Sequence, residues 1–95
     1  MQFRIKILGL PLLTELMGKE SALECPKESI KGLIETLIKR YGPAASRALL
    51  DSNGSLDRSI QVVINDGNYV NFQDFEKSLL KNGDRITFMM LIAGG

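Results

Sequence analysis

The stretch LLKNGDRITFMMLIAGG, residues 79–95, decides how the rest of the chain is read. Asn82–Gly83–Asp84 is a turn signal, and the residues after it alternate so that Ile86, Phe88 and Met90 share one face. A strand from Arg85 to about Ile92 is therefore expected, with Thr87, Met89 and Leu91 on its other face. The strand runs into Ala93, Gly94 and Gly95. Two residues without side chains suit a frayed end. They also suit a segment that threads a narrow channel and lies against another protein's backbone, because a missing Cβ permits close approach and unusual dihedrals.

Working outward, QFRIKIL alternates Phe3, Ile5 and Ile7 against Arg4 and Lys6, which predicts a strand over Gln2 to Leu8. GLPLLTELMGKE is punctuated by Gly9, Pro11 and Gly18 and reads as a loop with one helical turn. SALEC then supplies a short extended segment that can pair back on the first strand. Ser29 precedes Ile30, Leu33, Ile34, Leu37, Ile38 and Tyr41, an apolar stripe at helical spacing with an N-cap in front and Gly42–Pro43 as the stop. Gly32 inside this helix costs about 1 kcal/mol relative to alanine, a cost compatible either with close packing or with a solvent-facing position. Ala44 to Leu50 reads as a second short helical segment, followed by a polar loop around Asn53–Gly54. Ile60, Val62 and Ile64 alternate up to an Asp66–Gly67 turn, which predicts a strand and a short partner.

One amphipathic helix and one strand face of matching polarity give an α+β domain, with the helix packed across one side of the sheet. Phe3, Ile5, Ile7, Ile60, Val62, Ile64, Ile86, Phe88 and Met90 are the expected inner face. Met89 and Leu91 then point outward and, with Val63, are expected to form an exposed apolar patch beside the tail, suited to docking.

Composition narrows the function. Ninety-five residues make one domain, with 44% apolar and 24% charged residues. Twelve basic residues against 11 acidic ones leave no field that would draw nucleic acid or an anionic membrane. Lys27, Lys31, Lys39 and Arg40 are interleaved with acids and read as a solvated helix face. The longest apolar stretch falls far short of the roughly 20 residues of a membrane span, and the first strand starts at Gln2 with no room for a signal segment, so a soluble cytoplasmic protein is expected. There is no histidine, and Cys25 is the single cysteine. No metal site and no catalytic residue is expected, and Cys25 reads as a small buried or strand-end thiol. Glu15, Glu20, Asp66 and Asp74 show no motif spacing and are assigned to solvated surface.

The order of elements, the helix SIKGLIETLIKRYG, the strand and turn VVINDG, and above all LLKNGDRITFMMLIAGG resemble the ubiquitin-like β-grasp sulfur carriers, the ThiS/MoaD-like proteins. These include the thiamine sulfur carrier, the small subunit of molybdopterin synthase and small archaeal modifiers. The resemblance implies a mixed four- to five-stranded sheet with one main helix, a single domain over residues 1–95, and a flexible tail over 92–95. It also implies a carrier and not an enzyme. An E1-like adenylyltransferase would use ATP and magnesium to adenylate the carboxylate of Gly95, a sulfur donor would convert the adenylate to a thiocarboxylate, and a partner such as the molybdopterin synthase large subunit or thiazole synthase would receive the tail. Gly94 and Gly95 would carry the chemistry, with Val63, Met89, Leu91, Ile92 and Ala93 as docking residues. Two other outcomes share the same tail: a ubiquitin-like modifier joined through Gly95 to lysines, and a binding subunit whose tail is inert. Leu13–Thr14–Glu15–Leu16 stands where a Leu-Arg-Glu-Leu is common in the family, and Met90–Leu91 where molybdopterin synthase small subunits often carry a proline pair. PAASRALLDSNGSLDRS makes the chain longer than the compact thiamine carriers and leans toward the molybdopterin type or an archaeal relative.

Overall fold

A computed structural model describes residues 1–90. The first strand, β1 (Gln2–Leu8), has the alternation expected of it, with Phe3, Ile5 and Ile7 buried between exposed or half-buried neighbours. It pairs antiparallel with β2 (Glu20–Glu24), Phe3 opposite Leu23, one residue ahead of the expected SALEC. On its other side β1 pairs in parallel with the last strand, β5 (Arg85–Met90), Ile5 opposite Ile86 and Ile7 opposite Phe88. β5 in turn pairs antiparallel with β3 (Ile60–Ile64), which carries the two-residue β4 (Asn68–Tyr69) at the far edge. Among the described residues the sheet order is β2-β1-β5-β3-β4, a mixed five-stranded sheet with β5 at its centre.

Eight of the nine residues expected on the inner face are buried, and Met90 packs half-buried against the same cluster. Register accounts for this: Ile60, Val62 and Ile64 stand opposite Met90, Phe88 and Ile86 across β3 and β5. A one-residue slip would have moved every one of these side chains to the other face. The main helix, α2 (Ile30–Tyr41), buries Ile30, Leu33, Ile34 and Leu37 into that core. Ser29 caps it by accepting a hydrogen bond from the Gly32 amide at 3.0 Å, and the Lys31 amide, unpaired within the helix, donates to the Phe75 carbonyl at 2.9 Å. Gly42 ends it with φ +76° and an amide that donates a hydrogen bond to the Ile38 carbonyl, so that Pro43 can begin α3 (Pro43–Leu49), one residue earlier than expected.

Gly32 is buried, which decides between the two readings of it. A Cβ there would stand 2.4 Å from the Cβ of Lys27, so the chain entering the helix passes too close for any other residue.

The clearest departure from expectation lies at residues 9–18, where a full helix, α1 (Pro11–Met17), replaces a loop with one turn. Pro11 stands in its first turn, and the Gly18 amide closes it on the Thr14 carbonyl at 2.7 Å. These punctuating residues mark the two ends of a helix. Leu13 and Met17, four apart, are the face it buries. The stretch before β5 is mostly irregular, with a 3₁₀ turn at Phe72–Asp74, and is pinned by buried Phe75 and Leu80. The expected extension of β5 to Ile92 and the tail over 92–95 lie outside the described residues. No helix among the described residues is long and apolar enough to cross a membrane.

Candidate functional site: the end of the central strand

The residues leading to Gly94 and Gly95 come from the centre of the sheet. β5 is held on both sides, by β1 through Leu8 opposite Met89 and by β3 through Gln61 opposite Met89 and Ile60 opposite Met90. Its near end is fastened as firmly. Asp84 accepts from the Lys81 amide at 2.8 Å and from the Asn65 side-chain amide at 3.1 Å, while the Asn65 oxygen takes the Arg85 amide at 3.0 Å. Asn65 sits at φ +56°, a left-handed conformation that asparagine tolerates better than most residues. Beyond the turn, Gly9 lies against the last described residue: a Cβ on it would stand 2.9 Å from the Met90 carbonyl oxygen.

Of the residues singled out in the sequence, Leu91, Ile92, Ala93, Gly94 and Gly95 lie outside the described residues. Met89 and Val63 are on the outer face of the sheet and close in register, Met89 opposite Gln61 and Val63 opposite Thr87. The expected exposed patch is only partly there. Val63 is 7% exposed and Thr87 equally so, and Met89 is half-buried. Val63 occupies an interior strand, between Thr87 on one side and Tyr69 on the other. The apolar surface on this face is instead supplied by Leu8 and Tyr69, exposed by 40% and 62%. Neither was singled out, although Leu8 continues the outward series Arg4, Lys6, Leu8 and could have been found by extending the alternation.

Charge surrounds this apolar strip. Arg4 pairs with Glu20 at 3.2 Å and Arg85 pairs with Asp66, while Lys6 has no ion pair among the described residues. Cys25 is remote from the face and fully buried, its sulfur 3.4 Å from the Thr36 hydroxyl. The chain has no histidine to serve as a base for that thiol. Among the described residues no group of acidic or cysteine side chains is placed to hold a metal ion.

A mixed sheet with the first and last strands parallel at its centre, grasping one long helix, is the ubiquitin-like β-grasp fold. The chain belongs to the ThiS family, whose model matches residues 12–95. Solved structures agree on the fold. The crystal structure of SAMP1 from Haloferax volcanii superposes with a TM-score of 0.77 over 100% of both chains at 18% identity. The small archaeal modifier protein 1 of Methanosarcina acetivorans gives 0.74 at 25% identity, over 99% of this chain and 96% of that one. A chain of the Amycolatopsis orientalis BexX/CysO complex gives 0.70 at 26% identity, over 98% and 99%. No curated protein matches.

Proposed function

We propose that this chain is a sulfur carrier that works through the carboxylate of Gly95. What supports the reading is the span of the family match, which runs through residue 95 and so includes Gly94 and Gly95 on a β-grasp domain. A carboxylate is a poor electrophile on its own. Activation by a separate E1-like adenylyltransferase solves that: a carboxylate oxygen attacks the α-phosphorus of magnesium-bound ATP, pyrophosphate leaves, and an acyl adenylate forms. Hydrosulfide supplied by a sulfur donor then attacks the acyl carbon and AMP departs, leaving a thiocarboxylate on Gly95. This species is a compact nucleophile able to deliver sulfur to a cofactor precursor held by a partner, of the molybdopterin or the thiazole type.

The chain's own contribution is presentation. The outer sheet face around Leu8, Met89 and Tyr69, with Val63 beneath, is the docking surface, and Leu91, Ile92 and Ala93 connect it to the two glycines. ATP–pyrophosphate exchange by a candidate activating enzyme should depend on this chain and vanish when Gly95 is deleted. Exchange that persists with the shortened chain removes Gly95 from the chemistry.

A second reading has a specific observation behind it: the match at 25% identity to a protein named as a small archaeal modifier. The same adenylate would then be captured by a lysine amine on another protein. Gly95-linked isopeptides on cellular proteins separate this reading from sulfur delivery.

A further inference from the structure

Two asparagine–glycine pairs, Asn53–Gly54 and Asn82–Gly83, stand in turns of this chain. Such pairs share one intrinsic reaction. The unhindered glycine nitrogen attacks the asparagine side-chain carbonyl carbon, a new C–N bond closes a succinimide, and ammonia leaves; water then opens the ring to aspartate or isoaspartate. The fold treats the two pairs differently.

At Asn82 both reacting groups are engaged by one residue. The Asn82 side-chain oxygen accepts from the Gln2 amide at 2.7 Å, and the Gly83 amide donates to the Gln2 carbonyl at 2.8 Å. The attacking nitrogen keeps its proton in a hydrogen bond, and the side-chain carbonyl it must reach is tied by its oxygen to the start of β1. The neighbouring Lys81 amide and Asp84 carboxylate close the same turn at 2.8 Å. Cyclisation there requires the Gln2 clasp to open first.

At Asn53 the constraint falls on the backbone and not on the side chain. The Asn53 and Ser55 amides donate to the Asp51 carboxylate at 2.9 and 3.1 Å, and Gly54 makes one longer bond to the Asp51 carbonyl at 3.1 Å. The Asn53 side chain makes no hydrogen bond among the described residues. Both pairs are exposed, and Gly54 and Gly83 alike have open space where a Cβ would be, so the difference lies in the hydrogen bond that only the Asn82 side chain makes.

We infer that Asn53 is a site of spontaneous succinimide formation and deamidation in the folded protein, while Asn82, with the same chemistry in sequence, is protected by the Gln2 clasp. The modified chain loses its formal charge of +1. It carries a second carboxylate two residues from Asp51 and, in the isoaspartate form, also an extra backbone methylene in a loop whose ends are tied by the Leu50–Leu56 bridge.

The test is peptide mapping of the folded full chain during incubation in warm, mildly alkaline buffer, with a parallel sample in concentrated urea. Asn53 should convert on the order of tenfold faster than Asn82 in the folded chain, and the two should converge in urea. Asn82 keeping pace under native conditions would overturn the inference, as would an Asn53 that reacts only in urea. Isoelectric focusing of Asn53→Gln gives an independent answer: the slowly appearing acidic form should be absent, and its persistence would place the reaction elsewhere.

Discussion

Gly9 stands so near Met90 that a Cβ on it would lie 2.9 Å from the Met90 carbonyl oxygen, and any side chain there would press on the last described residue of β5. Gly9 also has φ +72°, a conformation that costs other residues about 1 kcal/mol or more. Gly9→Ala should therefore destabilise the fold by about 1–3 kcal/mol, the cost of forcing a strained backbone. Thermal unfolding checks it, since each kcal/mol lowers Tm by roughly 4–8 °C in a domain of this size. An unchanged Tm would mean that the contact is loose.

Gly32→Ala tests packing through the sign of its effect. In an ordinary helix interior this change stabilises by about 1 kcal/mol. Here the new methyl would meet the Cβ of Lys27 at 2.4 Å, and overpacking of that kind costs typically about 1–3 kcal/mol. Urea denaturation should show a loss of stability.

The docking face makes a separable prediction. Leu8 is 40% exposed and lies opposite Met89, so Leu8→Lys should leave Tm within a few degrees while raising KM for the activating enzyme about tenfold, a loss of ~1.4 kcal/mol. Steady-state kinetics with the full chain distinguishes this from a defect at the tail, which would abolish turnover at every concentration.

Asp57 supplies a pH signature. The Ser59 hydroxyl, at 2.7 Å, and then the Ser59 amide, at 2.9 Å, donate to its carboxylate and hold its pKa below the usual aspartate value of 3.8. A depressed carboxylate contributes stability that is present above the unfolded-state pKa and is lost as pH falls through the folded one. NMR titration of the side-chain carboxyl should show Asp57 protonating below ordinary aspartates, and Ser59→Ala should move it upward.

Much of this architecture could be read from residue patterns, and the exceptions have physical causes. The alternation in β1, β3 and β5 located the inner face because a period of two leaves each strand one choice of side. Ser29 and Gly42 bounded α2 for the same local reason: caps act within one turn. Taken as breakers, Gly9, Pro11 and Gly18 point to a loop with one helical turn, whereas Pro11 and Gly18 bracket the helix α1. Val63 was placed on the correct face, but its burial depends on neighbours from other strands, which alternation within one strand cannot reveal. The Gln2–Asn82 clasp joins residues 80 apart in sequence and has no local signal. The family resemblance rested on the helix and the last strand, and the match over residues 12–95 bears it out.

The most direct test of the proposed function is the intact mass of the purified chain after incubation with ATP, magnesium, a candidate activating enzyme and a sulfur donor, beside a chain lacking Gly95. The account predicts a gain equal to sulfur replacing one oxygen, confined by fragmentation to Gly95 and absent from the shortened chain. No gain, under conditions in which an established sulfur carrier is converted by its own enzyme and this chain forms its adenylate, would contradict it.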